Sequence, residues 1–207
     1  MARDIYNVKT IQDKRYDTLD LGEYNGLFGR CESRFVVTLY GHSGSGKSVF
    51  ALRLADYFAK NIGKTLYNSH EEKINQTLRD RINEWNIDAP RLFFGNALKF
   101  ERMVDVIRKN YYRAVFIDSV KYMDFTDEQL KELREIFAKR KLAIVMVNFG
   151  EKLGVPSGTS GKDLLHASDV KCFFKGGRLN VTSRYLQAPV DRVLFGSKYA
   201  EKQLTLF

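Results

Sequence analysis

The sharpest chemistry in the sequence lies in the run Gly41-His42-Ser43-Gly44-Ser45-Gly46-Lys47-Ser48. Glycines at these spacings let a backbone wrap so that successive N–H groups point at phosphate oxygens. The lysine then reaches the β and γ phosphates of a nucleotide, and the last serine offers its hydroxyl to Mg²⁺. The run follows the apolar stretch Phe35 to Tyr40 and opens an amphipathic one at Val49, so a strand leads in and a helix leads out. That helix adds its electropositive N-terminal end. Residues Gly41 to Val49 are therefore expected to bind a nucleoside triphosphate, with ATP and Mg²⁺ as the cofactors.

Two carboxylates extend the site. Ala114-Val115-Phe116-Ile117-Asp118 is an apolar strand ending in an acid, the arrangement that holds Mg²⁺ through a water opposite the loop hydroxyl of Ser48. Hydrolysis also needs a group that orients or deprotonates the attacking water. Glu71 and Glu72 follow the strand Thr65 to Asn68, which in a parallel sheet ends on the same edge as the phosphate loop. Glu72 suits the first turn of a following helix, where the dipole favours an acid. Glu71 is then the expected base.

These side chains need a scaffold that brings strand ends together. Short β-rich runs occur at Phe35 to Tyr40, Thr65 to Asn68, Arg91 to Phe94, Ala114 to Ile117 and Leu142 to Val147. Helical periodicities lie between them, at Lys47 to Lys60, Glu72 to Glu84, Phe100 to Lys109 and Asp127 to Arg140. Such alternation predicts an α/β fold with a mostly parallel central sheet flanked by helices. After Asp169 the runs Val170 to Phe174, Arg178 to Ser183 and Arg192 to Phe195 suggest three strands added antiparallel at one edge near the C-terminus. Gly150 to Gly161, with four glycines, two serines and a proline, predicts a mobile loop after a central strand.

The chain has 207 residues, enough for one domain with a sizeable core. The expected divisions are an N-terminal extension over 1–30, an ATPase core over 31–198 and a tail over 199–207. No apolar run approaches the roughly 18 residues of a membrane span, and no secretory signal is readable, so a cytoplasmic protein without a membrane partner is expected. Two cysteines far apart and three scattered histidines assemble no zinc-ligand spacing. The net charge of +9 makes polyanions attractive partners.

Taken together, these segments resemble a RecA-fold ATPase, and more narrowly the ATPase core of the bacterial RadA (Sms) branch, near RecA, KaiC and DnaB-type helicases. The resemblance spans about residues 25 to 186. It is carried by Gly41 to Ser48, by Thr65 to Glu72 with Gln76 and Arg79, and by Phe116-Ile117-Asp118-Ser119-Val120. Leu165 to Val170 and Thr182-Ser183-Arg184-Tyr185 continue it. The resemblance implies a catalytic Glu71, Mg²⁺ held through Ser48 and Asp118, and a homo-oligomer, a hexameric ring or a filament. In such an assembly Arg184 is the basic residue that reaches a neighbour's γ-phosphate, although the family's Lys-Asn-Arg-Phe reads Thr-Ser-Arg-Tyr here. Asn148 stands where relatives carry a Gln or His that senses the γ-phosphate. Loops after the fourth and fifth strands line the DNA path in the family, which points to Lys121, Tyr122, Lys152 and Lys162 as single-stranded DNA contacts. The chain resembles a core-only form of the kind found among phage recombinases, lacking the zinc finger and protease-like domain of full-length RadA.

The last residues, Gln203-Leu204-Thr205-Leu206-Phe207, resemble the peptide by which bacterial replication and repair proteins dock on the sliding clamp. Leu204, Leu206 and Phe207 would fill an apolar pocket while Gln203 hydrogen-bonds at its rim. The expected function is ATP-dependent DNA recombination, repair or replication. A DnaB-like helicase motor and a KaiC-like regulatory ATPase without DNA are the alternatives.

Overall fold

The computed structural model describes residues 5–150, 156 and 158–194. Its strands are β1 Val36–Gly41, β2 Thr65–Ser69, β3 Leu92–Asn96, β4 Ala114–Asp118, β5 Ala143–Phe149, β6 Val170–Lys175, β7 Arg178–Ser183 and β8 Val190–Val193. Its helices are α1 Val8–Gln12, α2 Asn25–Phe28, α3 Lys47–Asn61, α4 Gln76–Glu84, α5 Phe100–Asn110, α6 Val120–Met123, α7 Asp127–Ile136 and α8 Gly158–Ala167. The eight strands form one sheet in the order β3-β2-β4-β5-β1-β6-β7-β8. β1 to β6 run parallel, so their carboxyl ends gather on one edge, where β1, β2, β4 and β5 deliver the candidate site.

The two-residue period of a strand divides the core into two layers. In β4, Ala114 and Phe116 join one cluster with α3, whereas Val115 and Ile117 join the other with α5, α7 and α8. Leu54 and Phe58 of α3 and Met103, Ile107 and Leu133 of the opposite helices are buried. Burying each large apolar side chain of this kind contributes about 1.5–3 kcal/mol. Through the first layer runs an aromatic seam, with Phe58 to Phe116 and Phe116 to Tyr67 each 5.8 Å between ring centroids. The seam ends at the site, because Tyr67 donates its hydroxyl to Asp118. Leu21, Tyr24, Leu27 and Phe28, which fall in the segment read as an extension, are buried in this same layer.

Four elements depart from the expectation. β6 is parallel to β1, Val37 lying opposite Val170, and only β7 and β8 are antiparallel additions. A parallel neighbour needs a crossover of a dozen or more residues, and α8 supplies it. That helix begins at Gly158, inside the stretch expected to be a loop, so Lys162 stands exposed on a helix. α4 begins at Gln76 instead of Glu72, since Asn75 caps it by accepting from the Leu78 N–H at 3.0 Å. α7 ends at Ile136 rather than running to Arg140. Among the described residues no helix is long and apolar enough to cross a membrane.

Candidate nucleotide site

β1 delivers Gly41 to the carboxyl edge, and only a glycine fits there. Its φ is 152°, and a Cβ would lie 2.2 Å from the Phe174 carbonyl oxygen of β6. Gly46, at φ 92°, turns the chain into α3 and leaves its first turn without a side-chain cap. His42, Ser43 and Gly44 are exposed, Ser45, Gly46 and Val49 are buried, and Ser48 is half-buried. The Lys47 side chain spans this loop. Its ammonium donates to the Gly41 carbonyl at 2.8 Å, to the His42 carbonyl at 2.6 Å and to Ser45 Oγ at 3.4 Å. Burial lowers the Lys47 pKa, and the nearby Glu71 and Asp118 carboxylates oppose that shift.

Asp118 ends β4 opposite Ser69 of β2 and is buried. Its Oδ2 accepts from Tyr67, whereas Oδ1 has no hydrogen-bond partner. Burial pushes its pKa up to about 6, against the lowering effect of the Tyr67 hydroxyl and with Glu71 and Glu72 raising it further. The Asp118 backbone carbonyl accepts from the N–H groups of His70 at 2.5 Å and Glu71 at 3.1 Å, which fixes Glu71 beside it. Glu71 is exposed at the rim, yet its carboxyl is partly enclosed by protein. That enclosure raises its pKa, Glu72 adds to the shift, and Lys47 and Arg81 counter it. Glu72 does not cap a helix; it pairs with Arg81 at 2.6 Å.

A buried carboxylate oxygen without a partner, on the same carboxyl edge of the sheet as the half-buried Ser48, is a donor set that fits Mg²⁺. Without the ion, the ionised Asp118 is costly. Its folded-state pKa of about 6 lies above the ordinary 3.8, so at pH 7 the charge costs on the order of 3 kcal/mol relative to the unfolded chain. This penalty is absent below pH 3.8, grows as pH rises and is complete above about 6. Asp118→Asn is therefore expected to melt higher than the parent at pH 7 without nucleotide, and to lose that advantage near pH 4. A pH series of denaturation midpoints checks this; an equal midpoint at pH 7 would refute it.

Pairing of β5 with β1 places Asn148 opposite Tyr40 and Phe149 opposite Gly41. Asn148 is buried; its Oδ1 accepts from the Phe149 N–H at 2.9 Å and its Nδ2 has no partner. Phe149 was not legible as a site residue. The ammonium groups of Lys47 and of Lys121 each lie 5.6 Å from its ring centroid, and Tyr122 meets it edge-on at 5.9 Å. Tyr67 is the other residue missed, since in sequence it reads as one more apolar position of β2. Lys121 and Tyr122 are exposed on α6, beside the phosphate loop through Phe149.

The structure thus gathers Gly41 to Val49, Glu71, Asp118 and Asn148 at one edge. Arg184 lies elsewhere, its guanidinium 3.1 Å from Asp169, whose other oxygen accepts from the Val36 N–H at the opposite end of β1. Lys152 and the tail residues Gln203, Leu204, Leu206 and Phe207 lie outside the described residues.

A phosphate loop between the first strand and helix of a parallel sheet, with an acid ending β4, which β5 separates from β1, is the arrangement of a P-loop NTPase with a RecA-like fold. The chain belongs to the AAA domain family, whose profile matches residues 25–147. It is 24% identical over 173 residues to the DNA repair protein RadA of Campylobacter jejuni, covering 78% of this chain and 38% of that protein's length. Among solved structures, its fold resembles that of the flagellar accessory protein FlaH of Methanocaldococcus jannaschii, with a TM-score of 0.58 at 14% identity over 86% and 94% of the two chains. The KaiC-like protein PH0186 of Pyrococcus horikoshii gives a TM-score of 0.56 at 14% identity over 86% and 93%.

Proposed function

We propose that this chain hydrolyses ATP with Mg²⁺ and couples hydrolysis to single-stranded DNA in recombination, repair or replication within a bacterial or phage-infected cell. One observation carries the catalytic part: the carboxyl edge of one sheet holds the buried Lys47 within its loop, the unpartnered Oδ1 of Asp118 and Glu71, whose N–H donates to the Asp118 carbonyl. Ser48 and Asp118, the latter through a water, would hold Mg²⁺. When bound, the ion offsets charge on the phosphate oxygens. Lys47 would exchange its bonds to the Gly41 and His42 carbonyls for the β and γ phosphate oxygens. The loop N–H groups and the N-terminus of α3 would orient the chain of phosphates. Glu71 would accept a proton from the water attacking the γ phosphorus, while the leaving diphosphate oxygen stays bound by the loop.

The DNA part is supported by the placement of Lys121 and Tyr122, exposed on α6 and in contact with Phe149, which itself faces Lys47. Lys162, exposed on α8, and Lys152, outside the described residues, are the further DNA contacts of this proposal. The RadA similarity adds to that reading, while FlaH and the KaiC-like protein share the fold, so the fold alone does not choose between DNA and protein partners. Turnover of ATP with and without single-stranded DNA separates the two. Stimulation of several-fold that disappears in Lys121→Ala/Tyr122→Ala is expected; unchanged turnover and no DNA retention at moderate salt would favour a regulatory ATPase with protein partners.

Assembly into a ring or filament completes the proposal. Arg184 is bound to Asp169 far from its own phosphate loop, yet its side chain is mostly exposed, and in the proposed assembly it would contact a neighbour's γ-phosphate. Asn148 is the proposed sensor, with its unpartnered Nδ2 as the donor. For the tail, removing Gln203 to Phe207 is expected to abolish retention on immobilised sliding clamp and leave ATP turnover unchanged. Retention of the truncated chain would remove the clamp as a partner of this segment.

A further inference from the structure

A cluster of positive charge lies away from the nucleotide edge. At the opposite edge of the sheet, where β1 and β5 begin, the chain from Lys14 to Asp17 meets Glu32 to Arg34 and the turn from Ala138 to Lys141. They line an open cleft of about 360 Å³. Six cations border it, Lys14, Arg15, Arg34, Lys139, Arg140 and Lys141, against the two carboxylates Asp17 and Glu32. Strand β1 separates it from the phosphate loop by six residues, or roughly 20 Å.

This surface is built, beyond being charged. Arg34 donates to the Ala138 carbonyl, and Arg140 donates to the carbonyls of Ile107 at 3.2 Å and Arg108 at 3.1 Å. Both guanidinium groups are thereby fixed with further N–H donors to spare. Lys141 pairs with Asp17, which also accepts from Ser33 at 3.2 Å, and this ties the N-terminal segment to the rest. Aromatic rings interleave the cations. Tyr16 is 51% exposed with the Lys14 ammonium 5.4 Å from its centroid, and Tyr111 is 73% exposed with the Arg140 guanidinium 4.6 Å away. Open rings beside cations present flat faces on which an unpaired base can stack while the cations meet its phosphates.

We propose that this cleft is a second binding surface for single-stranded nucleic acid, with the cations on the phosphates and Tyr16 and Tyr111 stacking on bases. Charge matches the backbone, and exposed rings match unpaired bases in a way that a duplex, with its bases inside, does not. The site lies apart from α6 and needs no nucleotide, so it stands whether or not α6 touches DNA.

The test uses the full chain and a fluorescent single-stranded oligonucleotide, without ATP, across a salt series. Lys14→Ala/Arg15→Ala/Lys139→Ala removes three exposed cations. It is expected to weaken binding at least tenfold and to flatten the slope of log affinity against log salt by about 2, at roughly 0.7 per phosphate contact. Tyr16→Ala/Tyr111→Ala should weaken binding several-fold with the salt slope unchanged. Basal ATP turnover should stay at the parent value in both. Unchanged affinity and slope in the triple variant would overturn the proposal, as would equal losses for duplex and single strand in the tyrosine variant. The failure of the α6 reading is separate, because it shows as lost DNA stimulation in the Lys121→Ala/Tyr122→Ala protein with this salt slope intact.

Discussion

Lys47→Ala is expected to weaken ATP binding by about a thousandfold, roughly 4 kcal/mol, the scale for removing one partner of a buried charge pair. The reason lies in how the ammonium is held. It is buried, and the Gly41 and His42 carbonyls keep it at the centre of the loop, where phosphate oxygens would replace them. ADP should suffer as well, since the β phosphate loses the same contact. Stability should not fall in parallel, because a lysine whose pKa is lowered by burial gains little by being folded in its charged form. A titration with a fluorescent nucleotide, together with a melting curve, checks both points. An affinity within tenfold of the parent in a folded protein would show that Lys47 is not the phosphate ligand.

Glu71→Gln is expected to bind ATP within a few-fold of the parent and to turn it over 10²- to 10⁴-fold more slowly, the range for loss of a positioned general base. Glutamine keeps the shape and can still hydrogen-bond the water, but it takes no proton. The pH profile gives a second readout. Partial burial, and then Glu72, raise the Glu71 pKa, so the parent enzyme should lose rate on the acid side at a higher pH than an ordinary carboxylate would dictate. The protonated acid is the inactive form, so the rate falls as pH drops through that raised value. Residual turnover of the Gln variant should lack this limb. Normal turnover in Glu71→Gln would end its assignment as the base.

Much of the site was legible because it is local. Gly41 to Ser48 is contiguous, and the strand before it and the helix after it follow from apolar periods of two and 3.6. The acid ending β4 and the acid following β2 could be placed on one edge because a parallel sheet puts all its carboxyl ends together. Helix ends were less legible. A side-chain cap such as Asn75 competes with the propensity of Glu72, and the winner depends on a few tenths of a kcal/mol to about 1 kcal/mol.

What the sequence alone determined is therefore a P-loop with its lysine, its serine and two candidate acids, set on an α/β scaffold. Only the tertiary structure decided which distant residues share that space. Phe149 came beside Lys47 because β5 pairs with β1 across more than a hundred residues, and Tyr67 reached Asp118 because β2 pairs with β4. Arg184 was turned toward Asp169 by the register of the β6–β7 hairpin, and the basic cleft was assembled from three separate segments by long-range packing. Periodicity fixes which face a side chain takes, but strand order and register are settled by the burial of both sheet faces at once, and no local window contains that information.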